Sequence, residues 1–273
     1  MLSRESWWPA AQHLEIGQKQ RVPHDCGEGS PLIVSRDEEG YHAYCFRCID
    51  KGWQPPPTES LADKVDRLKR QREGDTSLPA APFLLPTPRE YNLDNWPMEA
   101  RLWIYKAGLS RADAGVLQLY WHAPSDRVVI PVLSADGGGS MFYQARAYQK
   151  GRVPKYLGPT PKPANLCARW GQYHTVSLTE DLLSAIKIGM AGGEGWCLLG
   201  THVSDFILSR LLARKCRVLV CLDPDPPGQR GALIIVKQLV AYGVACTNVV
   251  MPKDPKLLHL SELKEYVCPS TNP

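Results

Sequence analysis

Arg217-Val-Leu-Val-Cys-Leu-Asp-Pro-Asp-Pro-Pro-Gly-Gln-Arg-Gly231 decides the fold of this chain. A short apolar run stops at two carboxylates one residue apart, and a Pro/Gly turn then leads into a helical pattern. Runs this short, rich in Val and Leu and bounded by turn residues, predict a buried strand of a parallel sheet. Ligands gather at the carboxyl ends of such strands, where Asp223 and Asp225 fall. Two carboxylates there repel each other unless a cation sits between them. Hard oxygen donors of this kind suit Mg2+ or Mn2+ bridged to phosphates. The stretch predicts a divalent-metal site for phosphate chemistry.

Around it, strands and helices alternate. Strands are predicted at 175–179, 196–199, 217–222 and 247–251, and helices at 181–189, 203–213 and 229–242. That order predicts an α/β layer with a parallel core. Glu180 closes the first strand and is expected beside Asp223 and Asp225, because parallel strands bring their carboxyl ends to one edge. A glutamate with an Asp-x-Asp pair can hold a metal and assist proton transfer. Each acid alone also has a structural use: Glu180 or Asp181 as a helix N-cap, Asp223-Pro as a turn starter. Gly189-Met-Ala-Gly-Gly-Glu-Gly195 lacks the Lys-Ser/Thr of a P-loop, and Gly-x-Ser-x-Gly is absent.

Upstream, 95–108 and 110–117 have helical spacing, with Ser110 as N-cap and Asp113 at the capping-box position. Arg127-Val-Val-Ile-Pro-Val-Leu133 and Met141-Phe-Tyr-Gln-Ala-Arg-Ala-Tyr148 flank a Gly-rich turn at 134–139, a hairpin signal. From Arg127 to Arg169 the chain carries seven Lys/Arg against one acid, Asp136, an electrostatic footprint for a polyanion. Residues 55–88 read as a linker: Pro55-Pro-Pro57, a highly charged helical stretch at 61–72, then four prolines between Gly74 and Pro88.

The N-terminal part carries His24-x-Cys26 and Cys45-x-x-Cys48, two close pairs of N/S donors that suit a tetrahedral structural zinc. Short strands at 32–35 and 41–44, joined by an acidic turn, make this a zinc ribbon. The first pair is tighter than usual, so His42 stands as the alternative to His24. The other cysteines, six of nine, are scattered and read as packing residues. With 273 residues, 44% hydrophobic and 22% charged, the chain can build two compact domains with a real core. No apolar stretch is long enough for a membrane span, and Met1-Leu-Ser-Arg-Glu-Ser-Trp-Trp-Pro9 lacks a secretory profile. A reducing cytoplasm is the expected compartment.

The strand end at Glu180, the turn Leu222-Asp-Pro-Asp-Pro-Pro-Gly228 and Pro252-Lys-Asp-Pro255 resemble the acidic motifs of the Toprim domain, shared by primases and topoisomerases. Arg127-Val-Val-Ile-Pro131, Gln144-Ala-Arg-Ala-Tyr148 and Pro154-Lys-Tyr-Leu-Gly-Pro159 are similar to the basic catalytic-core segment of bacterial and phage DNA primases. Those primases also carry a zinc ribbon at the front. The resemblance implies an α/β chain, α+β overall. Its parts would be a zinc ribbon at 1–54, the linker at 55–88, a mixed α/β basic subdomain at 89–175, a Toprim domain with a mainly parallel sheet flanked by helices at 176–262, and a tail at 263–273.

It further implies a stand-alone phage-type primase, a nucleotidyltransferase making short RNA primers on single-stranded DNA from ribonucleoside triphosphates. Glu180, Asp223 and Asp225 would hold the catalytic metal, and Arg146 and Lys155 would contact phosphates. Asp181, Lys253 and Asp254 would complete the cofactor-binding set, and a separate hexameric helicase would be the partner. Leu257, Leu258, Leu260 and Leu263 would form an apolar face that either docks this helicase or packs on the core. The chain departs from the family in placing one residue, not two, between His24 and Cys26. It also follows Glu180 directly with Asp181 in place of Glu-Gly-x-x-Asp. Two rivals stand beside this reading: a Toprim nuclease or topoisomerase-like enzyme, and a non-catalytic zinc-containing single-stranded-DNA-binding protein.

Overall fold

The computed structural model describes residues 2–14, 18–37, 40–56, 60, 63, 66, 84–133, 140–159, 163 and 166–268, and the chain divides into two units, Met1–Asp66 and Arg67–Pro273. The hairpin tip at 134–139, most of the charged stretch at 61–72 and of the linker, and tail residues 269–273 lie outside the described residues.

In the first unit, α1 (Trp8–Ala11) precedes an antiparallel sheet of β1 (Lys19–His24), β2 (Gly27–Arg36), β3 (Tyr41–Cys45) and β4 (Lys51–Gln54), in that spatial order. Side chains alternate across a strand. Leu32 and Val34 of β2 and Tyr41, Ala43 and Cys45 of β3 therefore share one face, which Leu2, Trp7, Ala11 and Leu14 cover. β1 and β3 both run antiparallel to β2. Their carboxyl ends consequently fall on the same sheet edge, which brings the turn after His24 beside the turn after Cys45.

The second unit begins with α2 (Met98–Lys106) and α3 (Arg111–Val116). Ser110 and Asp113 close the reciprocal capping box that their spacing predicts. An antiparallel sheet follows, β5 (Tyr120–His122), β6 (Arg127–Leu133), β7 (Ser140–Arg146) and β8 (Tyr156–Leu157), each paired with the next. Beyond it come β9 (Ala168–Gly171), β10 (Thr175–Thr179), α4 (Leu182–Met190), β11 (Glu194–Cys197), α5 (Asp205–Arg214), β12 (Arg217–Val220), α6 (Pro226–Ala241), β13 (Cys246–Asn248) and α7 (Leu260–Val267).

The last sheet has the order β13-β12-β10-β11-β9, parallel throughout except for the antiparallel edge β9. Alternation again sorts the residues. Val218, Val220 and Leu222 pack with Val176, Leu178 and α5 and α6, whereas Leu219 and Cys221 pack with Ile188, Leu258, Leu263 and Val267. Helix α4 is buried on nearly every side, because Leu182, Leu183 and Ile186 also meet Ile104, Ile130 and Phe142 of the antiparallel sheet and α2. It is the element that locks the two sheets of this unit together.

Some boundaries differ from the sequence expectation. Strand β11 starts at Glu194, ahead of the expected 196, because Glu194 and Gly195 pair with the unanticipated β9. Helix α6 starts at Pro226, where a missing N–H costs nothing in the first turn. Strand β13 runs only Cys246–Asn248. The C-terminal apolar face packs inward: Leu258, Leu263 and Val267 are buried, and only Leu257 is exposed. Among the described residues no helix is long and apolar enough to cross a membrane.

Candidate functional site

The two sets of donors singled out in the sequence lie in different units. In the first, His24, Cys26, Cys45 and Cys48 bring one donor atom each to within 4.8 Å of all the others. Cys26 Sγ lies 3.4 Å from Cys45 Sγ, and Cys48 Sγ 3.8 Å from His24 Nδ1. Zn–S bonds of about 2.3 Å place tetrahedral donors roughly 3.8 Å apart, so this set fits zinc. Burial works against a Cys45 thiolate, but the backbone N–H groups of Cys48 and Arg47 and the neighbouring thiols donate to it and pull it down to about 6. Cys26, desolvated beside that charge, is pushed up to about 11. His42 is not in the set; its Nε2 lies 3.0 Å from Asp37 Oδ1 instead. Phe46, in the turn after Cys45, and Trp53, on β4 opposite His42, are exposed.

In the second unit the carboxyl ends of β10 and β12 place Glu180, Asp181 and Asp223 together. Asp223 ends the strand run, and Gly228 lets helix α6 start close against it: a side chain there would run into the Asp223 carbonyl. Asp225 caps α6, its Oδ1 accepting from Gly228 N at 2.8 Å. Asp181 caps α4, its Oδ1 accepting from Ser184 N at 3.2 Å. The acids thus serve as helix caps and as a cluster at once.

The group that joins them is Lys256. Its Nζ lies 2.7 Å from Asp254 Oδ2, 2.9 Å from Asp181 Oδ2 and 3.4 Å from Asp223 Oδ2. Lys253, the residue expected here, is exposed. Burial pushes Glu180 above the usual carboxylate range, and Asp223, Asp225 and Asp181 add to the effect. Burial likewise raises Asp223, with Asp254 and Asp181 contributing against Lys256. For Lys256, desolvation opposes the charge, but Asp181, Asp254 and Asp223 outweigh it and hold the ammonium protonated.

Asp223 Oδ1 is buried and has no hydrogen-bond partner. An orphaned carboxylate oxygen in a cluster with four other acids fits a divalent cation. Only the His24 set, however, gathers its donors tightly among the described residues.

A cavity of about 270 Å³ adjoins this cluster, lined by Asp181, Lys256, Lys106, Gln144, Arg146 and Tyr156. The Arg146 guanidinium lies 4.6 Å over the Tyr156 ring, and its Nε and Nη1 are buried without partners. Lys155 Nζ is 5.5 Å from the same ring. Sequence reasoning missed Lys106 and Lys256. A lone lysine on a helix and one in a turn carry no motif; only proximity reveals them.

The basic stripe is not uniform. Arg127 is buried and donates to the carbonyls of Ser125 at 2.7 Å and Pro154 at 2.8 Å, and Arg152 pairs with Asp126 at 2.7 Å. Both hold the fold. Arg169 lines another cavity, of about 560 Å³, with Arg210 and Arg214. There Glu194 is buried and held by Arg214, by Tyr173 N at 2.9 Å and by Trp196 Nε1 at 2.9 Å.

No protein-family model and no curated protein sequence matches this chain. Solved structures do. The Aquifex aeolicus primase, comprising zinc-binding and RNA polymerase domains, matches with a TM-score of 0.50 at 14% identity, over 95% of this chain and 81% of that one. The DnaG primase catalytic domain bound to single-stranded DNA matches with a TM-score of 0.50 at 16% identity, over 72% of this chain and 75% of that one. The chain has a primase fold. The primase fragment of the bacteriophage T7 primase-helicase protein matches more loosely, with a TM-score of 0.45 at 12% identity over 91% of this chain and 97% of that one. At such identities the likeness is one of fold.

Proposed function

We propose that this chain is a DNA primase: a nucleotidyltransferase that joins ribonucleotides into short RNA primers on single-stranded DNA, in phage DNA replication. The observation that carries the reading is the carboxylate cluster adjoining a cavity lined by Arg146, Gln144 and Tyr156, within a primase fold. Acids together with unpartnered guanidinium N–H groups suit a triphosphate that arrives with a divalent ion.

Asp223 and Asp225 would hold Mg2+ or Mn2+, with Glu180 and Asp181 beside them. Such an ion neutralises the triphosphate and the charge developing on the leaving group. Glu180, whose proton affinity is raised by burial and by its neighbours, is suited to accept the proton of an attacking 3′-hydroxyl. Arg146 would donate its buried Nε and Nη1 to phosphate oxygens, whereas Lys155 and Lys106 act as compact charges. Asp254 keeps a role in the cluster by anchoring Lys256, and Lys253 is proposed as an outer contact for phosphate.

The unit holding His24, Cys26, Cys45 and Cys48 would select the template. Exposed Phe46 and Trp53, with Arg47, offer stacking faces for unpaired bases. A separate hexameric helicase is the proposed partner. The buried Leu258 and Leu263 do not serve as its docking face.

The test is incorporation of labelled ribonucleotides on single-stranded DNA with Mg2+ or Mn2+. Short RNA products that depend on template support a primase. Strand cleavage under the same conditions would point to a Toprim nuclease, and binding with neither activity to a zinc-containing DNA-binding protein.

A further inference from the structure

Lys256 occupies a place that the charge balance of the cluster reserves for a cation. Three carboxylate oxygens surround its ammonium within 3.4 Å. Glu180 and Asp225 add two more acids close enough to act on one another electrostatically. Five carboxylates against one ammonium leave the site short of positive charge, and the buried, unpartnered Oδ1 of Asp223 marks where the shortage is felt.

The backbone that carries Lys256 is anchored. Pro255 and Leu258 are buried on either side of it, and the turn is closed by Leu257 N to the Asp254 carbonyl at 2.8 Å. The side chain has another place to go. It lines the 270 Å³ cavity that also holds Arg146, Gln144 and Tyr156, so rotation about its flexible stem moves the ammonium from carboxylates to cavity while the turn stays fixed.

We propose that Lys256 is the resting counter-ion of the carboxylate cluster, and that an entering divalent cation displaces it into the cavity, where it binds the phosphates of a nucleoside triphosphate. The proposal rests on reading the cluster as a metal site. In this arrangement the lysine stabilises five clustered acids when no metal is bound and lowers metal affinity until a triphosphate offers it new partners. Metal and triphosphate binding are therefore positively coupled through one side chain.

Mn2+ binding to the full chain, loaded with zinc, tests this by electron paramagnetic resonance without nucleotide. Lys256→Met keeps most of the flexible stem and removes the charge. It should bind Mn2+ at least about tenfold more tightly than wild type, since a competing unit charge in direct contact with the ligands is gone. Addition of ATP should tighten Mn2+ binding in wild type and much less in Lys256→Met.

A second measurement uses the wild-type protein, in case the variant fails to fold. Acylation of Lys256, followed by peptide mapping, should be slow without metal and rise several-fold as Mn2+ is added. Equal Mn2+ affinity in both proteins, or labelling indifferent to Mn2+ at saturation, overturns the displacement. If neither protein binds Mn2+, the metal reading itself fails. If Mn2+ releases the lysine but no primers form, the primase reading fails and the displacement stands.

Discussion

Two donor sets behave differently in this molecule. The sulfur and imidazole donors converge to within 4.8 Å on two neighbouring turns of one sheet edge. The carboxylates come from the ends of β10 and β12 and from the loop after β13, and a lysine sits among them. The first set is a closed cage, complete in its own ligands, as structural zinc sites are. The second is open, splits its acids between capping and clustering, and borders a cavity. Closure suits holding a fold together; openness suits a substrate that must enter and leave.

Breaking the open set should have the largest effect. Asp223→Asn keeps the shape and removes the orphaned charge. Ribonucleotide incorporation should fall by about 10³-fold or more while the thermal unfolding curve shifts little. A variant with unchanged activity would remove Asp223 from the chemistry. Breaking the closed set should act elsewhere. Metal analysis should find about one equivalent of zinc in the wild-type protein and none in Cys45→Ser or Cys48→Ser, with residues 90–260 still folded. A chain starting at Leu78 should keep weak dinucleotide formation and lose template preference. Full zinc retention in both variants, or template preference without the first unit, would erase the contrast.

Glu194 offers a control away from both sets. Its burial disfavours the charge, but Arg214, Tyr173 N–H and Trp196 hold its pKa below the usual value. A carboxylate lowered in the folded state contributes stability above its unfolded pKa of about 4.5 and loses it as pH falls toward the folded value. Glu194→Gln should destabilise the protein at pH 7 by about 3 kcal/mol, because it strands Arg214, and should flatten the acid side of the stability profile below about pH 4.5. An unchanged profile would show the pair contributes nothing. Smaller again, Arg146→Ala should weaken triphosphate binding about tenfold to a hundredfold, and Lys155→Ala, at an exposed position, by only a few-fold.

What could be read before folding depended on range. The short apolar runs and helical patterns of 175–251, the Ser110–Asp113 cap and the hairpin of 127–148 rest on neighbours within a few residues. Each recurs in the structure with boundaries shifted by a few residues. The Cys45-x-x-Cys48 and His24-x-Cys26 pairs are equally local, and strand direction alone brings them to one edge.

Other features depended on contacts between distant segments. Strand β9 exists because Glu194 and Gly195 of β11 give its edge a partner. Arg127 and Arg152 read as parts of a polyanion stripe, yet the carbonyls of Ser125 and Pro154 and the carboxylate of Asp126 claimed them. Lys256 lies 75 residues beyond Asp181 and 33 beyond Asp223, and no local pattern marks it. The sequence by itself determined the order of strands and helices over 175–251 and which residue types would stand at the strand ends. Only the tertiary structure decided which charges meet, because electrostatic pairing depends on distance through space, and that is set when α4 and the C-terminal turn pack against the sheet.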